Sequence, residues 1–226
     1  MINYKVNQNF SVNLGFEVSY KEVLAAVENL NTFLSSLPSN LYSSIDFKTT
    51  GAMIGAIFCS KLVEQMPKFA AINPIEKGHP DIIPLSAVNS TEEDLRNYPV
   101  GLEIKGTIGN LITGSNLRAG KTRIYDLRTI TWQAHHREVN HLMGIVWDFV
   151  NHIDRFNYPA ITGVFFSNEL KPDDWGKISG TTGRNTKVTG MIDSGKHKMG
   201  QGWVLIYDNP NYIIKYSHIL KITGFK

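Results

Sequence analysis

The sequence predicts an α/β (α+β) domain in which a mixed central β-sheet is flanked by helices. Three observations carry this expectation. Two helical stretches come early, at 19–37 and 49–66. Two strongly apolar strand-like segments, HLMGIVWDFV (141–150) and AITGVFFSN (160–168), lie in the middle of the chain. The last third is rich in glycine and breaks into β-like pieces, KVTGMI, GWVLIYD and YIIKYSHIL, which predict a β-rich C-terminal embellishment. Helices and strands interleaved in this way build one core around one sheet.

Each element has its own signal. SYKEVLAAVENLNTFLSSL is amphipathic, and Ser19 followed by Glu22 fits a capping box. TTGAMIGAIFCSKLVEQM (49–66) is more apolar, hence more buried, and Pro67 stops it. A short strand follows from Asp81 to Leu85, then the polar turn NSTEEDLRN and a strand at 99–107. GNLITGSNLRAGKTRIYDLR is Gly-rich and basic and predicts a loop, and TITWQAHHREV (129–139) a helix. No linker stands out, so 1–226 is expected to be one domain. Its core would span about 49–150, with 168–226 as an appended subdomain.

Composition narrows the function classes. The 226 residues are 42% hydrophobic, enough for a proper core, and the formal net charge of +3 is compatible with nucleic acid without requiring it. A single cysteine, Cys59, excludes a disulfide framework. The N-terminus carries no apolar run of the signal-peptide kind, and no stretch is long and apolar enough to span a membrane. A cytoplasmic, reducing compartment and no membrane partner are therefore expected.

The chemistry concentrates at EKGHPDIIPL (76–85) and LEIKGT (102–107). Asp81 sits at the mouth of an apolar strand, where an unpaired charge is expensive, so it needs a partner: a structural cation such as arginine, or a metal ion. Alternation along a strand puts Glu103 and Lys105 on one side and Leu102 and Ile104 on the other. That pair is either a plain ion pair or a metal ligand beside a proton-managing cation. If the strands of Asp81 and Glu103 are adjacent, the two carboxylates repel unless a cation lies between them, and such hard oxygen ligands suit Mg2+.

Pro80-Asp81 followed by Glu103-Ile104-Lys105 resembles the PD-(D/E)XK nuclease superfamily and, more narrowly, a type II restriction endonuclease. The resemblance implies a restriction-endonuclease-like core of helix, strand, strand, strand, helix, strand. It implies Mg2+ held by Asp81, Glu103 and the carbonyl of Ile104, with Lys105 managing the attacking water. It also implies an acid from the preceding helix, here Glu64, with Glu76 as a competitor. The activity implied is hydrolysis of double-stranded DNA at a short palindromic site by a homodimer in a bacterial or archaeal cell. A repair or recombination nuclease of the same fold and a catalytically silent DNA-binding protein are the rivals.

Three further stretches suggest contacts to DNA. LRAGKTR (117–123) offers Arg118, Lys121 and Arg123 in a loop, where an ordinary solvated basic loop is the competing explanation. It is not a P-loop, because Ser115 stands where the first glycine is needed. QAHHREVNH (133–141) offers Gln133, His136, Arg137 and Asn140 on a helix facing DNA, or simply a polar helix face. Its His135, His136, Glu138 and His141 match no zinc spacing. SGTTGRNTKVTG and SGKHKMGQGW offer Arg184, Asn185, Lys187, Lys196 and Lys198 as a specificity hairpin, or else a pair of solvated loops.

Overall fold

The computed structural model describes residues 2–112, 123–151, 157–179 and 188–223. Three short strands, β1 (Tyr4–Val6), β2 (Ser11–Asn13) and β3 (Glu17–Ser19), lead into α1 (Tyr20–Ser36). The capping box is present: Ser19 Oγ accepts the Lys21 N–H at 3.2 Å, and the Ser19 N–H donates to Glu22 at 2.9 Å. Helix α1 buries Val23, Val27, Leu30 and Leu34, one apolar stripe at helical spacing. After the short α2 (Ser39–Ser44), α3 (Phe47–Gln65) starts at the cap Asp46, which accepts the Thr49 N–H at 2.7 Å.

The middle of the chain holds β4 (Ala70–Ile72), β5 (Ile82–Pro84), α4 (Glu92–Arg96), β6 (Glu103–Thr107) and β7 (Asn110–Leu111). Next come α5 (Arg123–Asp126), β8 (Leu127–Thr129), β9 (Trp132–Gln133) and the long strands β10 (Leu142–Asn151) and β11 (Asn157–Ser167). The described chain closes with β12 (Val188–Thr189), α6 (Asp193–Gln201), β13 (Trp203–Tyr207) and α7 (Pro210–Ile219). The central sheet runs β1-β13-β11-β10-β6. It is mixed, because β6 is parallel to β10 while the other neighbours pair antiparallel.

Strand β10 explains why the middle of the sequence is so apolar. Met143, Ile145, Trp147 and Phe149 pack in a core with α1 and α3 on one face of the sheet. Leu142, Val146 and Val150 pack on the other face with Met199 of α6 and Tyr212 and Tyr216 of α7. A strand covered on both sides has no polar face to show.

Three expectations need correcting. NSTEEDLRN is more than a turn: its EEDLR forms helix α4, whose cap Thr91 accepts the Asp94 N–H at 3.2 Å. Residues 129–139 are not a helix: they form the end of β8, strand β9 and a single 3-10 turn, Ala134–Arg137. Ile130 and Trp132 are both buried, which is strand spacing, and Thr129 and Thr131 favour an extended chain. The C-terminal third is not β-rich. SGKHKMGQ belongs to α6 and YIIKYSHI to α7. Asn209 caps α7 by accepting the Asn211 N–H at 3.0 Å, Pro210 takes its first position, and Tyr212, Tyr216 and Ile219 are buried at helical spacing. Here the cap and the apolar period override the strand propensity of the isoleucines. Strand β13 lies inside the central sheet between β11 and β1, so 168–226 contributes to the core of the fold.

Candidate active site

The site forms where β5 meets the start of β6. Ile82 and Leu102 exchange backbone hydrogen bonds of 3.0 and 2.8 Å as an antiparallel bridge. That register lays Asp81 against β6, and its Oδ2 accepts the Ile104 N–H at 2.7 Å. Glu103, next along, is 2% exposed, and Lys105 is half-buried. Helix α3 presses on this strand at a glycine contact: a side chain at Gly106 would meet the carbonyl oxygen of Gly51 at 2.5 Å. Two glycines thus let the helix approach the strand that carries Glu103 and Lys105.

Burial and the neighbouring Glu103 push the Asp81 carboxyl well above the usual range, although the Ile104 N–H, His79 and His135 oppose the rise. Burial and then the ammonium of Lys48 push Lys105 down, against the pull of Asp81 and Glu103. Burial raises the Cys59 thiol of α3 well up, and the charges of Asp81 and Glu103 add to it. A buried acid pushed up and a lysine pushed down, side by side, are a feature of sites that move protons or hold cations.

Three imidazoles surround Glu103. His79 Nδ1 lies 3.2 Å from Oε1 and 3.1 Å from Oε2. His135 Nε2 lies 3.3 Å from Oε1, and His136 Nε2 lies 3.8 Å from it. His136 is fully buried, and its Nδ1 accepts the Gln133 N–H at 3.1 Å, so in its neutral form the proton sits on Nε2, facing Glu103. Burial, then His135, Lys105 and His79, hold His136 well below the usual imidazole range. The ligand atoms of His79, Glu103 and His135 all lie within 4.8 Å of one another, a set that could hold a metal ion.

Of the residues singled out from the sequence, the structure brings together Asp81, Glu103, Lys105 and the backbone of Ile104. Glu64 stands apart: it is exposed on α3, bound to Lys61 at 2.9 and 3.0 Å. Glu76 is also exposed, 3.7 Å from Lys77. His136 is interior and not on a DNA-facing helix, and Arg123 is likewise interior, 3.3 Å from Asp148. Gln133 lines a cleft with Lys105, and Arg137 is half-buried. Lys196 and Lys198 lie on α6, bonded to Asp193 at 2.9 Å and to Asp174 at 2.7 Å. Arg118, Lys121, Arg184, Asn185 and Lys187 lie outside the described residues.

His79, His135 and Lys48 were missed. His79 had a readable signal, since it stands two residues before Asp81 and shares its strand mouth. His135 was weighed only with its sequence neighbours, whereas its partner comes from 56 residues earlier in the chain, at His79. Lys48 lies at the start of α3 and lines the cleft of Lys105.

No protein-family model, curated protein or solved structure matches the chain. No described helix is long and apolar enough to cross a membrane. The donor chemistry fits a divalent cation. The ligand atoms that lie together are those of His79, Glu103 and His135, one hard oxygen donor with two nitrogens, while the Asp81 carboxylate is bonded to the Ile104 N–H outside that group.

Proposed function

We propose that the chain is a Mg2+-dependent nuclease and, within that class, a type II restriction endonuclease that cuts double-stranded DNA at a short palindromic site. The observation that carries this is the convergence of Asp81, Glu103 and Lys105 where β5 meets β6. The element order supports it. Helix α3, strands β4, β5 and β6 and the strand β10 parallel to β6 come in the order of the helix, strand, strand, strand, helix, strand core, with α4 inserted before β6 and the second helix reduced to the short α5. Strands β4 and β5 pair in a small sheet that meets the central one at the Ile82–Leu102 bridge.

The surroundings fit a polyanion. Lys105 and Lys48 line a cleft of about 270 Å³ together with Asn110 and Gln133. Asn110 also lines a larger neighbouring cleft of about 640 Å³ whose basic groups are Arg128, Lys196, His218 and Lys221. Two clefts that meet at Asn110 and carry Lys48, Lys105 and Arg128 suit a phosphate backbone, because most contacts that position a protein on DNA go to phosphates.

Asp81 and Glu103 are the groups that would hold the cation. When bound, Mg2+ supplies Lewis-acid polarisation of a phosphate oxygen and a more acidic water. Lys105 Nζ, with its proton loosened by burial and by Lys48, can take the proton of the attacking water or donate to the charge that builds on phosphorus. The Ile104 N–H fixes the Asp81 carboxylate, so one oxygen is oriented before substrate arrives. A homodimer belongs to this proposal, since a two-fold protein matches a two-fold site.

The test is digestion of a long DNA of known sequence with Mg2+. Discrete fragments whose ends map to one short motif support site-specific cleavage. A smear keeps the nuclease and replaces the restriction enzyme with a repair or recombination activity. Binding without cutting leaves only the silent DNA-binding protein.

A further inference from the structure

Nothing in a Mg2+ site asks for imidazole, yet of the three imidazoles around Glu103 those of His79 and His135 reach its carboxylate most closely and come from separate parts of the chain. The backbone of His79 is pinned on both sides: its N–H donates to the Arg96 carbonyl at 3.0 Å, and its carbonyl accepts the Tyr98 N–H at 2.7 Å. His135 is fixed at the other side by the 3-10 turn, whose last bond runs from the Glu138 N–H to the His135 carbonyl at 2.9 Å. The two rings lie 4.9 Å apart at 34°, and the His135 ring lies 4.2 Å from that of His136, tilted by 58°. The ring nitrogens are therefore held in place by backbone and packing and not by one long flexible side chain.

The spacing is that of a ligand shell. Donors about 2.0–2.1 Å from a tetrahedral ion stand about 3.3 Å from one another. His79 Nδ1 and His135 Nε2 stand 3.1 and 3.3 Å from the carboxylate of Glu103. The carboxylate is buried, while the side chains of His79 and His135 are 33% and 39% exposed and line a cleft of about 180 Å³. An ion held there has an entry path and an open position facing the cleft, which is the form of a reactive site and not of a closed structural one. Two nitrogens and one carboxylate suit borderline first-row ions, Mn2+ through Zn2+, over Mg2+.

We infer that His79, Glu103 and His135 form a binding site for a transition-metal ion of the Co2+ or Zn2+ class. The inference does not rest on the nuclease proposal, because it concerns the ligand set alone. Glu103 is the one residue this site shares with the carboxylates proposed to hold Mg2+.

The test is titration of chelator-stripped full-length protein with Co2+, read by its visible absorption, and with Zn2+ and Mg2+, read by calorimetry. The expected result is saturable Co2+ binding with ligand-field bands, weakened roughly 10-fold or more by His79→Ala and by His135→Ala, with Mg2+ affinity changed less than about two-fold. His79→Gln and His135→Gln, which keep a side-chain hydrogen bond to Glu103, serve if an alanine variant loses its fold by circular dichroism. Folded wild-type protein that binds no Co2+, or folded variants that bind it as tightly as wild type, overturns the inference. DNA cleavage does not enter this readout. A protein that binds Co2+ through both imidazoles and cuts no DNA overturns the nuclease proposal alone.

Discussion

Asp81 and Ile104 are joined side chain to backbone: the Asp81 carboxylate accepts the Ile104 N–H at 2.7 Å from across the β5–β6 bridge. One carboxylate oxygen thus serves the fold, and the other remains for a cation. Asp81→Asn keeps an acceptor for that N–H, so its stability in urea should lie within about 1 kcal/mol of wild type, while cleavage and cation affinity collapse. Asp81→Ala leaves the buried N–H unpaired and should cost about 1–3 kcal/mol. Equal stability of the two variants would show that this hydrogen bond contributes nothing.

Lys105 is expected to act through a transferable proton. Lys105→Ala should slow single-turnover cleavage by about 10²–10⁴-fold, the range of one general acid–base group, while DNA binding in a gel-shift assay changes little. Lys105→Arg should not restore the rate, because a guanidinium keeps its proton. Recovery in the arginine variant would reduce Lys105 to a fixed positive charge.

Asp148 predicts a pH effect away from the site. Burial raises its carboxyl to about 6, and the Arg123 charge only partly offsets this. Arg123 Nε lies 3.3 Å from Asp148 Oδ1 but makes no hydrogen bond, so their attraction is weaker than the close approach suggests. A carboxyl whose folded value is raised favours the folded state while protonated. That contribution is complete below the unfolded value and is lost as pH rises through about 6. On this account Asp148 contributes a loss on the order of 2–3 kcal/mol between about pH 4 and pH 7, which Asp148→Asn removes while the share of Asp81, raised to the same region, stays. Urea midpoints for both proteins across that range decide it, and parallel curves would remove Asp148 as the cause.

Gly106 sets the distance between α3 and β6. An alanine there places its Cβ 2.5 Å from the Gly51 carbonyl oxygen, which is backbone and cannot swing aside. Gly106→Ala should therefore destabilise by about 1–3 kcal/mol through overpacking. It should also depress cleavage in the fraction that folds, because the strand bearing Glu103 and Lys105 must shift. Unchanged thermal unfolding would mean that the helix can retreat at no cost.

The parts of the fold that the sequence made legible are those written in short-range chemistry. The Ser19–Glu22 capping box, the stop at Pro67 and the apolar run of β10 each follow from neighbouring residues alone. Asp81 and Glu103 could be paired because the segments that carry them meet at the antiparallel Ile82–Leu102 bridge after one excursion through α4. The C-terminal helices were hidden, since Ile213 and Ile214 favour strands and the cap at Asn209 is the weaker signal. The histidine cluster was hidden for another reason. Only the 3-10 turn at Ala134–Arg137, read as part of a longer helix, turns His135 toward His79. No local pattern records a contact between residues so far apart in the chain.

The nuclease proposal meets its most direct test with supercoiled plasmid DNA incubated with wild type and with Lys105→Ala, each with Mg2+ and with excess chelator. Linear or nicked product from wild type with Mg2+ alone, and none from the folded variant or with chelator, is the expected result. Plasmid left intact by folded wild-type protein in Mg2+, Mn2+ and Co2+ alike, or cut equally well by Lys105→Ala, would contradict it.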